Sequence, residues 1–273
     1  YEDQTTSVTT IDTNSDYTPY GNTITGAANS KITQTESGGR TLEFNGDGSL
    51  LIVGSPHKDT QRGEARVYKY SNGSWLQRGQ TLTGVAGTDY ASSDYTRFGG
   101  AVDINYDGTI IAVGQHEGTN PTGYGNGNCI IYKWDDTQSN PWVQMGQTIT
   151  PAGNSYDRAG YCVSLSDDGH VFGYGAIYAE PPGYPVSSQR GVIRIFVWDQ
   201  TANSGTGSWV DRDSIYGEYD LDYTSTLKFN SDGNIVVIGE YGHKEGNYQV
   251  GRARVFEWNS DQSKYVIRGT ELP

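Results

Sequence analysis

Four times along this chain a strand-like run is cut by Asp-Gly and resumes as a short apolar run ending on glycine. The turns are Asp47-Gly48, Asp107-Gly108, Asp168-Gly169 and Asp232-Gly233. A glycine stands seven residues after each Asp: Gly54, Gly114, Gly175 and Gly239. The copies lie 60, 61 and 64 residues apart. Asp-Gly supplies the positive φ angles of a tight hairpin. Ordinary residues recurring on a fixed period indicate a repeat architecture, in which no unit can bury its own apolar faces and each needs a neighbour.

Each copy reads as a meander of four strands. Alternating apolar and polar residues predict half-buried first strands at Thr41–Asn45, Ala101–Asn105, Cys162–Ser166 and Thr226–Asn230. The continuous apolar runs Leu50–Val53, Ile110–Val113, Val171–Tyr174 and Ile235–Ile238 predict second strands buried on both faces. Third strands align on aromatic pairs, Tyr68/Tyr70, Tyr132/Trp134, Phe196/Trp198 and Phe256/Trp258. Fourth strands open on an aromatic residue and carry a glycine four residues later: Trp75 with Gly79, Trp142 with Gly146, Tyr265 with Gly269. Trp209 keeps the aromatic but has Asp213 at the glycine position, and the stretch from Tyr17 to Gly26 matches a fourth strand near the N-terminus. With 37 Gly, 21 Tyr and one Met among 273 residues, turns and strands are favoured over helices.

The expected fold is therefore all-β, a β-propeller of four-stranded antiparallel blades forming one domain. Four complete blades fall at residues 36–84, 98–150, 159–217 and 224–273, and residues 1–35 form a partial or closing half blade. That half blade leaves three possibilities: its strands cap a four-bladed ring, the chain belongs to a longer polypeptide, or a neighbouring copy completes the blade. The chain opens on Tyr1 without Met or a signal-peptide pattern, which reads as a processed product or a stretch of something longer.

Phe98-Gly99, Asp103-Ile104-Asn105-Tyr106-Asp107-Gly108 and Ala112-Val113-Gly114, with Val53-Gly54-Ser55-Pro56 in the first unit, resemble the FG-GAP repeat. That family builds the propeller of integrin α-subunits and of many secreted or surface proteins. The resemblance covers residues 38–273 and part of 12–26, and it implies an extracellular propeller. In the integrin-like form the turn between first and second strands holds calcium. Here the first ligand position is Glu43, Asp103, Ser164 or Lys228, and the closing position is apolar at Leu51 and Ile111. Calcium takes six to eight oxygens, so a plain hairpin turn is the better reading; Asp103, Asn105 and Asp107 form the one calcium candidate. No other cofactor is expected.

A formal charge of −13 disfavours nucleic acid and anionic lipid as partners, and no window approaches the roughly 18 apolar residues of a membrane span. Cys129 and Cys162 permit one disulfide or two buried thiols. Asn72-Gly73-Ser74 is an acceptor for N-glycosylation. His57, His116 and His243 fall in equivalent loops, which leaves a zinc site on one propeller face open, with repeat descent and solvated polar loops the stronger reading, while His170 sits in a hairpin turn. Neither a Gly-x-Ser-x-Gly elbow nor a phosphate loop is present. Acidic neighbours such as Asp211 with Asp213, or Glu218 with Asp220 and Asp222, read as a solvated rim. Loops after the second strands of units two and three carry Tyr124, Tyr178 and Tyr184 as binding candidates. The expected function is non-enzymatic: an extracellular structural or adhesive module contacting other copies of itself or other surface proteins, with glycan binding as the alternative.

Overall fold

The computed structural model describes residues 20–26, 40–84, 96–117, 125–151, 157–185 and 187–269. They form an all-β structure of antiparallel four-stranded meanders. The first sheet comprises Leu42–Phe44, Leu50–Ser55, Glu64–Ser71 and Ser74–Gln77, with Leu82–Thr83 added beside the third strand. The second comprises Ala101–Ile104, Ile110–Gln115, Asn128–Trp134 and Trp142–Gln144. The third comprises Ala159–Leu165, Val171–Ala176, Val192–Asp199 and Ser208–Tyr216. The fourth comprises Thr224–Phe229, Ile235–Glu240, Arg252–Asn259 and Lys264–Ile267. A two-stranded ribbon, Lys244–Glu245 with Tyr248–Gln249, and two single helical turns complete the described elements. No helix among the described residues is long and apolar enough to cross a membrane.

Consecutive sheets pack face to face, and three apolar cores fill the three junctions. Leu50, Ile52 and Val67 of the first sheet meet Ile104, Ile111 and Val113 of the second. Ala112 and Ile131 of the second meet Phe172, Tyr174 and Trp209 of the third. Ile193 and Ile195 of the third meet Val236, Ile238 and Phe256 of the fourth. Alternation along a strand sends odd residues to one junction and even residues to the next, so each interior sheet feeds two cores. Burying one such Leu, Ile or Phe stabilises the fold by about 1.5–3 kcal/mol.

The seventh-residue glycine is explained by these junctions. A Cβ on Gly54 would lie 2.0 Å from Gly99 O, and one on Gly114 would lie 2.3 Å from Gly160 O. Only a residue without a side chain lets the next sheet's backbone approach that closely. The Asp-Gly turns are linked sheet to sheet as well. Asn45 Oδ1 accepts from Leu50 N at 2.8 Å while its amide donates to Tyr106 O, and Gly46 N donates to the same carbonyl at 2.9 Å. Asn105 repeats both contacts toward Ile110 N and Asp167 O. Backbone bonds from Tyr106 N to Asp167 O and from Asp167 N to Ser231 O continue the series.

At the hub the four equivalent positions Glu43, Asp103, Ser164 and Lys228 converge. Lys228 Nζ lies 3.2 Å from Asp103 Oδ1 and 3.7 Å from Glu43 Oε1. Asp103 Oδ2 also accepts from Leu165 N at 2.7 Å, and Ser164 Oγ accepts from Phe229 N. First and fourth sheets, almost 190 residues apart in sequence, thus meet at one centre.

At the rim, the fourth-strand aromatic is clasped by the preceding unit. Trp209 Nε1 donates to Met145 O at 2.8 Å, Trp209 N donates to Gln147 Oε1, and Gln147 Nε2 donates to Trp209 O. Trp142 is held identically by Arg78 O and Gln80. Trp75 is held by Tyr20 O and by Asn22 Oδ1, so the segment near the N-terminus occupies the place of a preceding blade's rim. Tyr20 stacks on Tyr70 at 4.1 Å. Asp213 Oδ2 takes the Gln role for Tyr265 N.

Two expectations change. The fourth strands of the first and second sheets stop at Gln77 and Gln144, short of the predicted Leu82 and Ile149; that of the fourth sheet ends at Ile267, and its predicted end at Leu272 lies outside the described residues. The chain turns at Gly79 and Gly146, where φ is 80° and 74°. A Cβ there would strike Trp142 or Trp198 at 2.8 Å. The third sheet, with Asp213 at that position, keeps a strand through Tyr216. The second strand of the fourth sheet is buried on one face only, unlike its three counterparts.

Gln147→Ala is expected to lower the unfolding free energy by about 1 kcal/mol, because the main chain of the buried Trp209 loses two polar partners even though Gln147 itself is exposed. The exposed Gln144→Ala should change it by less than about 0.5 kcal/mol. Chemical denaturation of both variants checks the difference.

Candidate functional site

Two regions gather residues that could meet a partner. The first is formed by the loops after the second strands of the third and fourth sheets together with the connection between Tyr216 and Thr224. Tyr223 stacks on Tyr241 at 5.1 Å with planes 7° apart, and Tyr178 meets Tyr223 edge-on at 6.1 Å. Arg158 lies over Tyr178 and Arg190 lies 4.0 Å over Tyr184. Tyr184, Tyr219, Tyr241 and Tyr248 are exposed. Burial, aided by Tyr161, Tyr178 and Tyr223, pushes the Tyr241 hydroxyl up to about 12. The surface offers aromatic rings with cations between them.

Beneath those loops lies a buried ionic network. Glu240, fully buried, accepts from Thr224 Oγ1 at 2.8 Å and from Arg254 Nε at 3.0 Å, and also pairs with Arg252. Asp222 accepts from Arg252 Nη2 and from the amides of Glu218 and Tyr219, and faces His243 Nδ1 at 3.1 Å. Glu218 bridges Arg252 and Arg254. This corrects the expectation of a solvated acidic rim at Asp222 only: its carboxylate is closed off, whereas Glu218 and Asp220 stay exposed, Asp220 paired with Arg190. Arg252-x-Arg254 on the third strand was the legible signal, since two alternate cations on one buried sheet face require anions opposite.

The second region is the pair of outermost sheet faces. Leu42 and Phe44 are 44% and 53% exposed, whereas their counterparts Val102 and Ile104 are 2% and 5% exposed. With Glu43 and Leu51 they line a shallow apolar depression. On the far side Val237 is 39% exposed, and Ile235, Ala253 and Val255 are half-buried, where Ile193 and Ile195 are fully buried. The glycines agree. A Cβ on Gly108, Gly169 or Gly233 would strike Leu50, Ile110 or Val171 of the preceding sheet, but one on Gly48 would meet nothing. A Cβ on Gly54 or Gly114 would strike the next sheet's backbone, but one on Gly239 would meet only Thr226 of its own sheet.

The remaining sequence candidates take up other work. Asp103 is at the hub, Asn105 caps its turn, and Asp107 Oδ1 accepts from Thr109 N at 3.0 Å, so the three are not directed at a common point. Among the described residues no group of three or more His, Cys, Asp or Glu side chains is placed to hold a metal ion. Cys129 and Cys162 are free thiols, which corrects the disulfide alternative. Cys129 belongs to the core between second and third sheets and Cys162 to the core between third and fourth, so the third sheet separates them. Asn72 is exposed on its hairpin turn with φ 50°. Tyr124 lies outside the described residues. His116 is buried, and burial with Arg97, Arg158 and His57 nearby lowers it to about 3.

No family model matches the chain, and no curated protein matches it. Among solved structures, the chain is similar to a protein from Lactobacillus plantarum at 16% identity and TM-score 0.48, covering 84% of this chain and 53% of that one. It is similar to TolB from Acinetobacter baumannii at 15% identity and TM-score 0.39, covering 84% and 42%. It is similar to the tricorn protease at 13% identity and TM-score 0.43, covering 83% and 22%. The chain thus spans about half, or less, of these proteins.

Burial and the neighbouring Glu180 raise Asp157 from 3.8 to about 6. Its folded form holds a proton that the unfolded chain releases, so its contribution is present below about pH 4 and lost as pH rises through 6. His116 acts oppositely: its contribution is present above pH 6.5 and lost as pH falls toward 3. Asp157→Asn is therefore expected to gain stability relative to the parent as pH rises from 4 to 6, then hold level. Thermal unfolding of both proteins across that range checks the sign.

Proposed function

We propose that this chain is a non-enzymatic structural or adhesive module of FG-GAP type, working outside the cell through protein–protein contacts. Four complete blades and the rim of a fifth make up the propeller in this reading. One observation carries it. The faces of the first and fourth sheets that look away from the stack leave open the apolar positions that every internal junction closes. Apolar faces of this kind at a sheet end are contact surfaces. The polar groups fit the same reading, since the hub, the turns and the Glu240 network satisfy one another within the fold. A net charge of −13 keeps such a module soluble while its contacts stay local.

Glycan binding is the second reading, favoured by the exposed Tyr184, Tyr219, Tyr241 and Tyr248 with Arg190 beside them. Aromatic rings flanked by polar groups suit the faces and hydroxyls of sugars.

The two readings separate in one pair of measurements. The module reading expects concentration-dependent self-association of the full chain in equilibrium sedimentation, weakened by Phe44→Asp, and no retention on a glycan array. A monomer at every concentration, with array binding lost on Tyr184→Ala, would replace it with the glycan reading.

A further inference from the structure

We infer that the sector between the fourth and first sheets is a receptor for a two-stranded β-hairpin supplied by another polypeptide, one built like the first and second strands of this chain's own repeat. The inference rests on the module reading and names its partner's chemistry.

The geometry of the sector comes first. The four sheets turn in one direction about a hub at which Lys228 reaches Glu43. The open face of the first sheet and the open face of the fourth therefore look into the same gap. A single insert touching both would stand to Leu42 and Phe44 as the first sheet's Leu50 and Ile52 stand to Ile104 and Ile111. It would stand to Val237 as the fourth sheet's Val236 and Ile238 stand to Ile193 and Ile195.

The extent of the opening decides the size of the insert. At the rim the sector is already served: Tyr20 covers Tyr70, and Tyr20 O with Asn22 Oδ1 holds Trp75. On the face that Phe44 shares with Trp75, the exposed apolar residues of the first sheet are Leu42 and Phe44 of its first strand, beside the half-buried Leu51 of the second; the exposed Leu76 of the fourth strand lies on the opposite face, with Lys69. What the sector lacks among the described residues is the inner half of a blade, two strands and the turn between them.

The turn has its own complement. The bonds from Gly46 N to Tyr106 O, Tyr106 N to Asp167 O and Asp167 N to Ser231 O step from each Asp-Gly turn to the next. Among the described residues the series begins with the turn at Gly46 and ends with the turn at Ser231, both exposed. A hairpin with an Asn-x-Asp-Gly turn would donate to Gly46 O and accept from Ser231 N, continuing the series through the gap. Close approach also favours a small residue on its second strand, as Gly114 shows against Gly160 O.

The probe is a synthetic peptide of residues 98–115, which holds the first and second strands and the turn of the second sheet. Isolated hairpins are marginally stable, so ordering is expected on binding. Labelled peptide should bind the full chain saturably, raise its unfolding temperature and dissolve its self-association. Phe44→Asp and Val237→Asp, each first shown to be folded by circular dichroism, should weaken binding about tenfold or more. The control Asn72→Asp, on an outer turn, should leave it unchanged. Three results would overturn the inference: no saturable binding, binding indifferent to both sector substitutions, or stronger sector-dependent binding by a peptide of residues 1–19. Self-association that depends on Phe44 but ignores the hairpin would assign the sector to a second copy, overturning the inference while leaving the module reading intact.

Discussion

Everything in this fold depends on one sheet face being unable to stay in water. Each meander has two apolar faces, and both would be exposed if it stood alone. Pairing the following face of one sheet with the preceding face of the next hides both. The polar features are consequences of that packing. Glycines stand where the neighbouring backbone comes within van der Waals reach, as at Gly54 and Gly114. Asn45 and Asn105 bridge from turn to turn because the turns are brought side by side. Gln80 and Gln147 hold the main chain of the next unit's tryptophan, and the Arg78 and Met145 carbonyls hold its indole, because the rim is where water would otherwise enter.

Much of this was legible in the sequence, and the limits have physical causes. The sixty-residue period located every sheet, since hairpin turns and buried runs are local signals. The clasp residues were visible as a recurring phrase without an evident purpose, because their partners lie one repeat away. The alternate Asp and Asn positions were read through a resemblance to ion-binding turns. In the structure Asp103 faces Lys228 of a sheet two units on, a contact spanning 125 residues that no local pattern encodes. Asp213 looked like a defect in the fourth-strand phrase; it accepts from Tyr265 N and so substitutes for Gln. The Glu218–Asp222–Glu240 network was hidden for a similar reason: acidic residues in a loop resemble a solvated rim until Arg252 and Arg254 are seen to reach them.

For function the sequence supports an expectation only at the level of class. Repeats place equivalent residues at equivalent positions, so no reactive cluster stands out against the background. Departures from equivalence are informative instead. Leu42, Phe44 and Val237 have the same chemistry as their counterparts and a different environment. Gly239 stays glycine although no next sheet's backbone lies against it, and Gly48, whose φ of 72° its turn requires, has no preceding sheet against it. These positions carry the sequence of a junction without the junction, and the proposed contact with another protein starts from them.

The central claim is that the sheets turn about one hub and bring the fourth back beside the first. A double-mutant cycle on Asp103→Asn and Lys228→Met tests it most directly, because no other arrangement of these meanders places residues 103 and 228 in contact. Asp103 is buried and Lys228 is half exposed, so the account predicts a coupling on the order of 1 kcal/mol after allowance for solvent screening. Strict additivity of the two substitutions would contradict it.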